Sequence, residues 1–206
     1  MSMVADSAAV PGSTSVAADL TFPDALTGTA DEAARRLLGC HLIRELDGAR
    51  LVVRVVEVEA YDQNDPASHT FHGKSHRNRA MFGLAGHAYI YFTYGMYHCI
   101  NVTAGVDGFG SGVLLRAAEP LEGTGIIEER RGKRGPTALN GPAKLCMALG
   151  IDMDLYGHDL TRPPLRIELA GLKPGEHVDA TERIGISKAV ERRRRYIIEG
   201  NLYLSR

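Results

Sequence analysis

The chain has 206 residues, with 24 Lys or Arg against 25 Asp or Glu and a formal net charge of −1. A length near 200 favours one domain with a sizeable core. The 44% apolar and 24% charged fractions exclude a largely disordered, collagen-like or disulfide-scaffold protein.

The sequence predicts a cytoplasmic protein with no membrane partner. No apolar run approaches the ~18 residues of a membrane span, and the first basic residue is Arg35, so the N-terminus is unlike a secretory signal. The three cysteines are far apart and form no CxxC pair, which favours reduced, buried thiols. Residues 1–18 have almost no pattern and predict a disordered tail, so we expect the folded domain to span 19–206.

The predicted elements are mostly strands. Thr29 begins a capping-box pattern before a helix of about ten residues that ends at Gly39. Asp47-Gly48 is a hairpin signal between strands at 41–46 and 50–60, and the second strand is apolar on both faces, as in a central strand. The other predicted elements are a long loop at 62–80, strands at 87–94, 97–103, 112–117, 165–169, 183–187 and 196–204, and helices at 120–131 and from Gly141 to about Gly150. Because no regular βαβ alternation is present, the pattern predicts an α+β fold.

Two carboxylates lie near the end of the second predicted strand. Glu59 shares its face with apolar residues, and a partly desolvated carboxylate suits a general base. The alternative is that Glu59 lies where the strand emerges into water. Glu57, on the same face, either forms an acid/base pair with Glu59 or is salt-bridged to an arginine.

Three histidines, His69, His72 and His76, would share one face of a helix and could then bind zinc. The intervening Gly73 and Ser75 favour a loop instead, and no nearby cysteine or carboxylate completes a ligand set.

Tyrosines and basic clusters indicate contact with nucleic acid. Four of the eight tyrosines fall within 89–97, and tyrosines beside a polar loop can stack on a base, although an aromatic core is the alternative. Basic residues cluster at 77–79, 130–134 and 192–195. Each cluster alone is more typical of a solvated face, but together with the tyrosines they are compatible with phosphate contacts. Lys144, near the start of a predicted helix, adds a natural phosphate site.

Six motifs occur in the order found in one known family. They are Val-Glu-Val-Glu-Ala-Tyr at 56–61, Arg-Asn-Arg-Ala-Met-Phe at 77–82, Tyr-Ile-Tyr-Phe-Thr-Tyr-Gly-Met-Tyr at 89–97, Leu-Leu-Arg-Ala-Ala-Glu-Pro-Leu-Glu-Gly at 114–123, Gly-Pro-Ala-Lys-Leu-Cys at 141–146 and Arg-Ile-Gly-Ile at 183–186. With these motifs the chain resembles the alkyladenine (3-methyladenine) DNA glycosylase family over about 25–205. The resemblance implies a single mixed domain with a curved, mainly antiparallel sheet and surrounding helices.

The resemblance also implies a function. Family members flip damaged purines out of double-stranded DNA and hydrolyse the N-glycosidic bond with an activated water, which starts base excision repair. They use no metal or other cofactor, and a water nucleophile implies no lyase activity. We further expect a monomer, located in the cytoplasm and associated with the nucleoid if the protein is bacterial. The sequence leaves 3-methyladenine, 7-methylguanine, hypoxanthine and ethenoadenine open as substrates.

Residue roles follow from the matched motif positions. Glu59 matches the general base, and Arg116 and the main-chain carbonyl of Ile184 match the groups that hold the water. The matches to the base pocket are Tyr61, His69, Tyr91 and Asn101, those to the intercalating turn are Tyr94, Met96 and Tyr97, and those to the DNA-backbone contacts are Lys74, Ser75, Arg77, Asn78 and Lys144.

The chain departs from the family pattern at two places. The segment 187–191, followed by four arginines, replaces a Gly- and Trp-containing stretch, and Phe71 and His72 stand where basic or small residues are usual. Two alternatives to a glycosylase are a zinc hydrolase that uses the histidine cluster and a nucleic-acid binding module without chemistry. A pure binding module would not depend on Glu59.

Overall fold

The computed structural model describes residues 21–205 as one mixed α+β unit. The predicted tail at 1–18 and the first residues of the predicted domain lie outside the described part. Within residues 21–205, the helices are α1 (Ala30–Leu37), α2 (Thr124–Arg131) and α3 (Pro142–Leu149). The strands are β1 (His41–Leu46), β2 (Ala49–Asp62), β3 (Ala88–Thr93), β4 (Tyr97–Thr103), β5 (Ser111–Glu122), β6 (Leu165–Glu168), β7 (Val178–Thr181) and β8 (Arg195–Ile198).

All strand pairs are antiparallel and form one curled sheet. The main order is β3-β4-β5-β2-β1-β6, and β8 joins β2 to β7. The long strand β2 is the centre of this sheet, because it pairs with β1 along its first half, with β8 at Glu57–Glu59 and with β5 on its other edge. Ten consecutive residues of β2, from 51 to 60, are buried, which confirms the predicted central strand with cover on both faces.

Three predicted elements differ from the structure: two have different bounds and one strand is absent. The helix predicted at 120–131 starts only at Thr124, because β5 runs on to Glu122 and pairs with β2 there. Residues 183–187 form no strand; the strand of this region is β7, which ends at Thr181. The strand predicted at 196–204 is the short β8, after which the chain turns back toward the sheet. The predicted polar loop at 62–80 is confirmed, with a short 3₁₀ helix at its end (Arg79–Phe82).

The predicted capping box begins α1. The Thr29 hydroxyl accepts from the backbone N–H of Glu32, and the Glu32 carboxylate accepts from the backbone N–H of Thr29. Gly39 follows the helix with φ of 85°, and a Cβ there would lie 2.4 Å from the carbonyl oxygen of Gly171. The chain can therefore turn sharply from α1 into β1 only with glycine at this position.

Thr29→Ala is expected to lower the free energy of unfolding by about 1 kcal/mol, because it leaves an N-terminal N–H of α1 without its acceptor. Urea denaturation measures the change. Thr137→Ala is the control, because that exposed threonine caps no α-helix. Equal losses in the two variants would contradict the role given to the capping box.

Candidate active site

A cleft of about 540 Å³ lies where β2, the β3–β4 hairpin, β5 and the start of α3 meet. This volume is within the usual range of small-molecule sites. The residues predicted for chemistry, base binding and intercalation that line it are Glu59, Tyr61, His69, Tyr91, Tyr94, Tyr97, Asn101, Arg116 and Ile184, and Lys144, predicted as a DNA-backbone contact, lines it too. Side chains that are 125 residues apart in the sequence therefore meet in one cavity.

Glu59 lies on the cleft wall with no solvent-exposed area, so the alternative of a strand end emerging into water is wrong. Its Oε1 accepts from the backbone N–H of Ile184 at 2.8 Å and lies 3.2 Å from Nη1 of Arg116. Its Oε2 accepts from the Tyr61 hydroxyl at 2.7 Å. Two hydrogen bonds and the Arg116 ion pair thus fix the carboxylate in one orientation, as a preorganised charged group requires.

The Tyr61 hydroxyl remains a donor over the whole physiological pH range. Burial, followed by the Glu59 charge beside it, raises the pKa of Tyr61 well above its ordinary value. On the ring, the guanidinium carbon of Arg183 lies 4.7 Å from the centroid, within cation–π distance. Arg183 in turn is held by Asp65. Tyr61 is therefore held at its hydroxyl and also over its ring.

Arg116 connects the two carboxylates of β2. Its Nε donates to Oε1 of Glu57 at 2.9 Å, while Nη1 faces Glu59. Burial alone would lower the pKa of Arg116, but the charges of Glu59 and Glu57 outweigh it and raise that pKa. The interpretation of Glu57 as a residue salt-bridged to an arginine is confirmed.

His69 and Tyr91 form an aromatic wall of the cleft. Their ring centroids are 4.6 Å apart with the planes nearly perpendicular, and Nδ1 of His69 lies 2.9 Å from the Tyr89 hydroxyl. Burial, followed by the Arg77 charge, lowers the pKa of His69, so the imidazole is neutral at neutral pH. It can then present one ring nitrogen to Tyr89 and the other to a ligand.

Asn101 completes the inner wall. It lies on β4 and is 4% exposed. Its Nδ2 donates to the carbonyl of Tyr89 at 3.2 Å, which fixes the side-chain amide within the cleft wall. A fixed amide limits the shapes of ligand that fit beside it.

Two large exposed side chains stand at the β3–β4 turn. Tyr94 is 83% exposed and Met96 is 64% exposed. Tyr94 has φ of 51° and is followed by Gly95 at 68°; a left-handed conformation is uncommon for a bulky residue. Tyr97 is half-buried and lines the cleft. The strained turn places a tyrosine in solvent at the cleft rim.

The residues predicted to contact the DNA backbone have different surroundings. Lys74, Ser75 and Arg77 are exposed on the 62–80 loop. Asn78 is 4% exposed, and its amide bonds the carbonyls of His69 and Gly73 and the N–H of Ser75, so it holds the loop together. Lys144 lines the cleft and donates to Oδ1 of Asn140 at 2.7 Å.

Among residues 21–205, no three His, Cys, Asp or Glu side chains come together as a candidate metal site. His69 is engaged with tyrosines of the cleft, and His72 and His76 are exposed on the loop. The helix that would have placed the three histidines on one face is not formed, so the structure does not support the zinc hydrolase. The same described residues contain no helix with the length and apolarity needed to cross a membrane.

Sequence reasoning missed part of the support around the site. Arg194 binds Asp31, Asp62 and Asp65. From the sequence it was considered only as part of the basic cluster 192–195. Ser205 lines the cleft and bonds Glu57, and no local pattern marked it. A Cys99 thiol also lines the cleft beside Tyr91.

The chain is similar over most of its length to one family model and to several curated proteins. A family model for methylpurine-DNA glycosylase matches residues 24–202. A protein of Carboxydothermus hydrogenoformans named "Putative 3-methyladenine DNA glycosylase" is 46% identical over 84% of this chain and 92% of its own length. Proteins of the same name from Methanoculleus marisnigri and Rhizobium etli are 44% and 47% identical, each over 84% of this chain, and 92% and 82% of their own lengths. The chain therefore belongs to the methylpurine-DNA glycosylase family of DNA-repair enzymes.

Proposed function

We propose that this protein is a monofunctional DNA glycosylase that flips an alkylated or deaminated purine into the cleft and hydrolyses its N-glycosidic bond. The observation that carries the proposal is the buried Glu59, fixed by two hydrogen bonds and an ion pair in a cleft with aromatic walls. A flipped base needs such walls for stacking, and the attacking water needs a base within reach.

The chemistry needs one carboxylate and one water. As the bond from C1′ to the purine nitrogen breaks, the base leaves with the electron pair and the sugar acquires oxocarbenium character, which a nearby carboxylate stabilises. The water oxygen attacks C1′ and its proton passes to Glu59. A cationic alkylated purine leaves as a neutral base, whereas a neutral lesion leaves as an anion and takes up a proton from the solvent. The proton that Glu59 accepted from the attacking water returns to the solvent. Arg116 and the main-chain carbonyl of Ile184 are proposed to hold the water.

The cleft walls suit a planar ligand. Tyr61 and Tyr91 would stack on the two faces of the flipped purine, with His69 completing the stack. Asn101 would crowd the two-position of a normal guanine and reject it, because its amide is held by the Tyr89 carbonyl. Lesions without a group at that position would fit beside the amide.

The rim and the basic residues suit the duplex. Tyr94 would fill the gap that the flipped base leaves, with Met96 and Tyr97 beside it. Lys74, Ser75, Arg77 and Lys144 would contact the backbone, whereas the Asn78 side chain would act by holding the loop that carries Lys74, Ser75 and Arg77. One chain supplies all of these residues, so we expect a monomer to suffice. The cytoplasmic location and the independence of metal stay predictions.

Tyr94→Ala is expected to weaken binding to lesion-containing duplex by about 5- to 150-fold, the equivalent of one aromatic stacking contact of ~1–3 kcal/mol. The side chain is 83% exposed, so thermal stability should not change. Fluorescence anisotropy with a labelled duplex measures the affinity. Leu202→Ala is the matched control, because that side chain is 82% exposed and lies outside the cleft. Unchanged affinity for Tyr94→Ala would contradict the proposed wedge.

The function itself is tested by base release from labelled duplexes that contain hypoxanthine or ethenoadenine, and from methylated DNA. Strand cleavage only after alkali, unaffected by EDTA, is the expected result for a monofunctional, metal-independent enzyme. Cleavage without alkali would show a lyase, and loss of release with EDTA would show a metal enzyme. Tight binding without release from any substrate would instead indicate a binding module.

A further inference from the structure

Glu57 is as deeply buried as Glu59, but it does not line the cleft. Its Oε1 accepts from Nε of Arg116 at 2.9 Å, from Nε of Arg195 at 2.7 Å and from the Ser205 hydroxyl at 2.6 Å. Its Oε2 accepts from the backbone N–H of Ser205. Two arginines and both donors of Ser205 therefore converge on one buried carboxylate.

Arg116 is the partner that connects Glu57 to the site. A guanidinium is planar, so an Nε held on Glu57 also fixes the direction of Nη1, which faces Oε1 of Glu59 at 3.2 Å. The Ser205 hydroxyl lies 3.2 Å from Nη2 and holds the same plane from another side. The orientation of Arg116 toward Glu59 is thus set from behind the cleft.

Without Glu57, Arg116 would turn toward Glu59. Guanidinium and carboxylate groups prefer two parallel hydrogen bonds, and Glu59 would be the nearest remaining carboxylate. A bidentate pair would occupy the Glu59 oxygens that have to accept a proton from water. Glu57 therefore keeps Arg116 on one oxygen of Glu59.

Ser205 is brought to this place by the segment that follows β8. Nδ2 of Asn201 donates to the Glu119 carboxylate on β5 at 3.1 Å, and the N–H of Tyr203 donates to Oδ1 of Asn201 at 2.9 Å. Tyr203 and Leu204 pack against the core. The segment therefore carries Ser205 into contact with Glu57 as part of the packed structure.

We propose that Glu57, fixed by Ser205 and Arg195, is a positioning residue that orients Arg116 for the reaction at Glu59. This inference rests on the proposed glycosylase function. It differs from a merely structural role, in which Glu57 would only balance buried charge, because it predicts an effect on the rate that acts through Arg116.

The first test is Glu57→Gln, which keeps the shape and removes the charge. The single-turnover rate of base release should fall by at least about tenfold, the equivalent of one charge-assisted hydrogen bond. Affinity for lesion-containing duplex should stay within about threefold. Glu176→Gln is the matched control, because it removes a carboxylate from another buried arginine, Arg54, away from the cleft.

The second test is a double-mutant cycle with Arg116→Met. If Glu57 acts through Arg116, Glu57→Gln should change the rate by less than about twofold once Arg116 is absent. Ser205→Ala, which removes only one hydroxyl, should slow base release when Arg116 is present and have no effect on the rate of the Arg116→Met variant. Glu176→Gln should have the same small effect in both backgrounds.

The outcomes separate the inference from the proposed function. Wild-type protein that releases no base overturns both. If the wild type is active and Glu57→Gln or Ser205→Ala leaves the rate of base release unchanged, the inference alone is overturned. The same holds if these substitutions still slow base release in the Arg116→Met background. Where Glu57→Gln fails to fold, the Ser205→Ala cycle decides.

Discussion

Glu59→Gln is expected to slow base release by about 10²- to 10⁴-fold, the usual contribution of a general base. The substitution keeps the size of the side chain and one acceptor oxygen for the Ile184 N–H, which Glu59 binds at 2.8 Å. It removes the ability to take a proton from water. Single-turnover release from a hypoxanthine or ethenoadenine duplex measures the change.

Binding should separate from chemistry in the same variant. The aromatic walls and the rim do not depend on the Glu59 charge, so affinity for lesion-containing duplex should be kept. Glu176→Gln is again the control, because that carboxylate also pairs with a buried arginine but lies outside the cleft. A folded Glu59→Gln protein that releases base within tenfold of the wild-type rate would show that another group activates the water.

The local sequence pattern predicted the order of most secondary-structure elements. The capping box at Thr29, the hairpin turn at 47–48 and the two-sided apolar strand each depend on neighbouring residues, and all three are present in the structure. The predicted helix at 120–131 began too early, because pairing of β5 with Val52 and Val53 extends the strand. Tertiary pairing of that kind leaves no local signal.

The sequence predicted the site residues that lie within the matched motifs, and it missed their partners outside those motifs. Glu59, Tyr61 and the tyrosines of 89–97 stood out by spacing and by resemblance. Glu57 also stood out, as a carboxylate that could pair with an arginine. Its partners Arg195 and Ser205 did not, because they lie far from it in the sequence. Nothing in the order of residues indicates which of four consecutive arginines becomes buried.

Asp65→Asn is expected to lower the free energy of unfolding by about 3–5 kcal/mol, the usual effect of removing one partner from a buried ion pair. Asp65 and the side chain of Arg183 have no exposed area. Asp65 accepts from Nη2 of Arg183 at 3.1 Å, from Nη1 of Arg194 at 3.2 Å and from the N–H of Ala67 at 3.0 Å. In the variant, an amide NH₂ would face two guanidinium groups.

Thermal unfolding followed by circular dichroism measures this loss, which corresponds to a lower Tm by on the order of 10 °C for a domain of this size. Glu122→Gln is the control, because it breaks an exposed ion pair with Arg50 and should cost less than about 1 kcal/mol. Similar shifts in the two variants would contradict the importance of the buried network.

The pH dependence of the same variant follows from the sign of the pKa shift. Burial alone would raise the pKa of Asp65, but the hydrogen bonds from Arg183 and Ala67 and the arginine charges outweigh it and lower that pKa below 3.8. A carboxylate with a lowered pKa contributes stability above its unfolded pKa and loses it as the pH falls through its folded pKa. The difference in Tm between wild type and Asp65→Asn should therefore be constant from about pH 7 to about pH 4 and shrink in more acidic solution.

Asp65→Asn should also slow base release, although Asp65 does not line the cleft. Asp65 fixes Arg183, whose guanidinium lies over the Tyr61 ring and whose neighbour Ile184 donates to Glu59. Loosening Arg183 therefore disturbs both hydrogen-bond donors, Tyr61 and Ile184, that orient the Glu59 carboxylate. Release measured at a temperature well below the variant's Tm, where all of the protein is folded, separates this effect from lost stability. If Asp65→Asn releases base at the wild-type rate at that temperature, Asp65 acts only in folding.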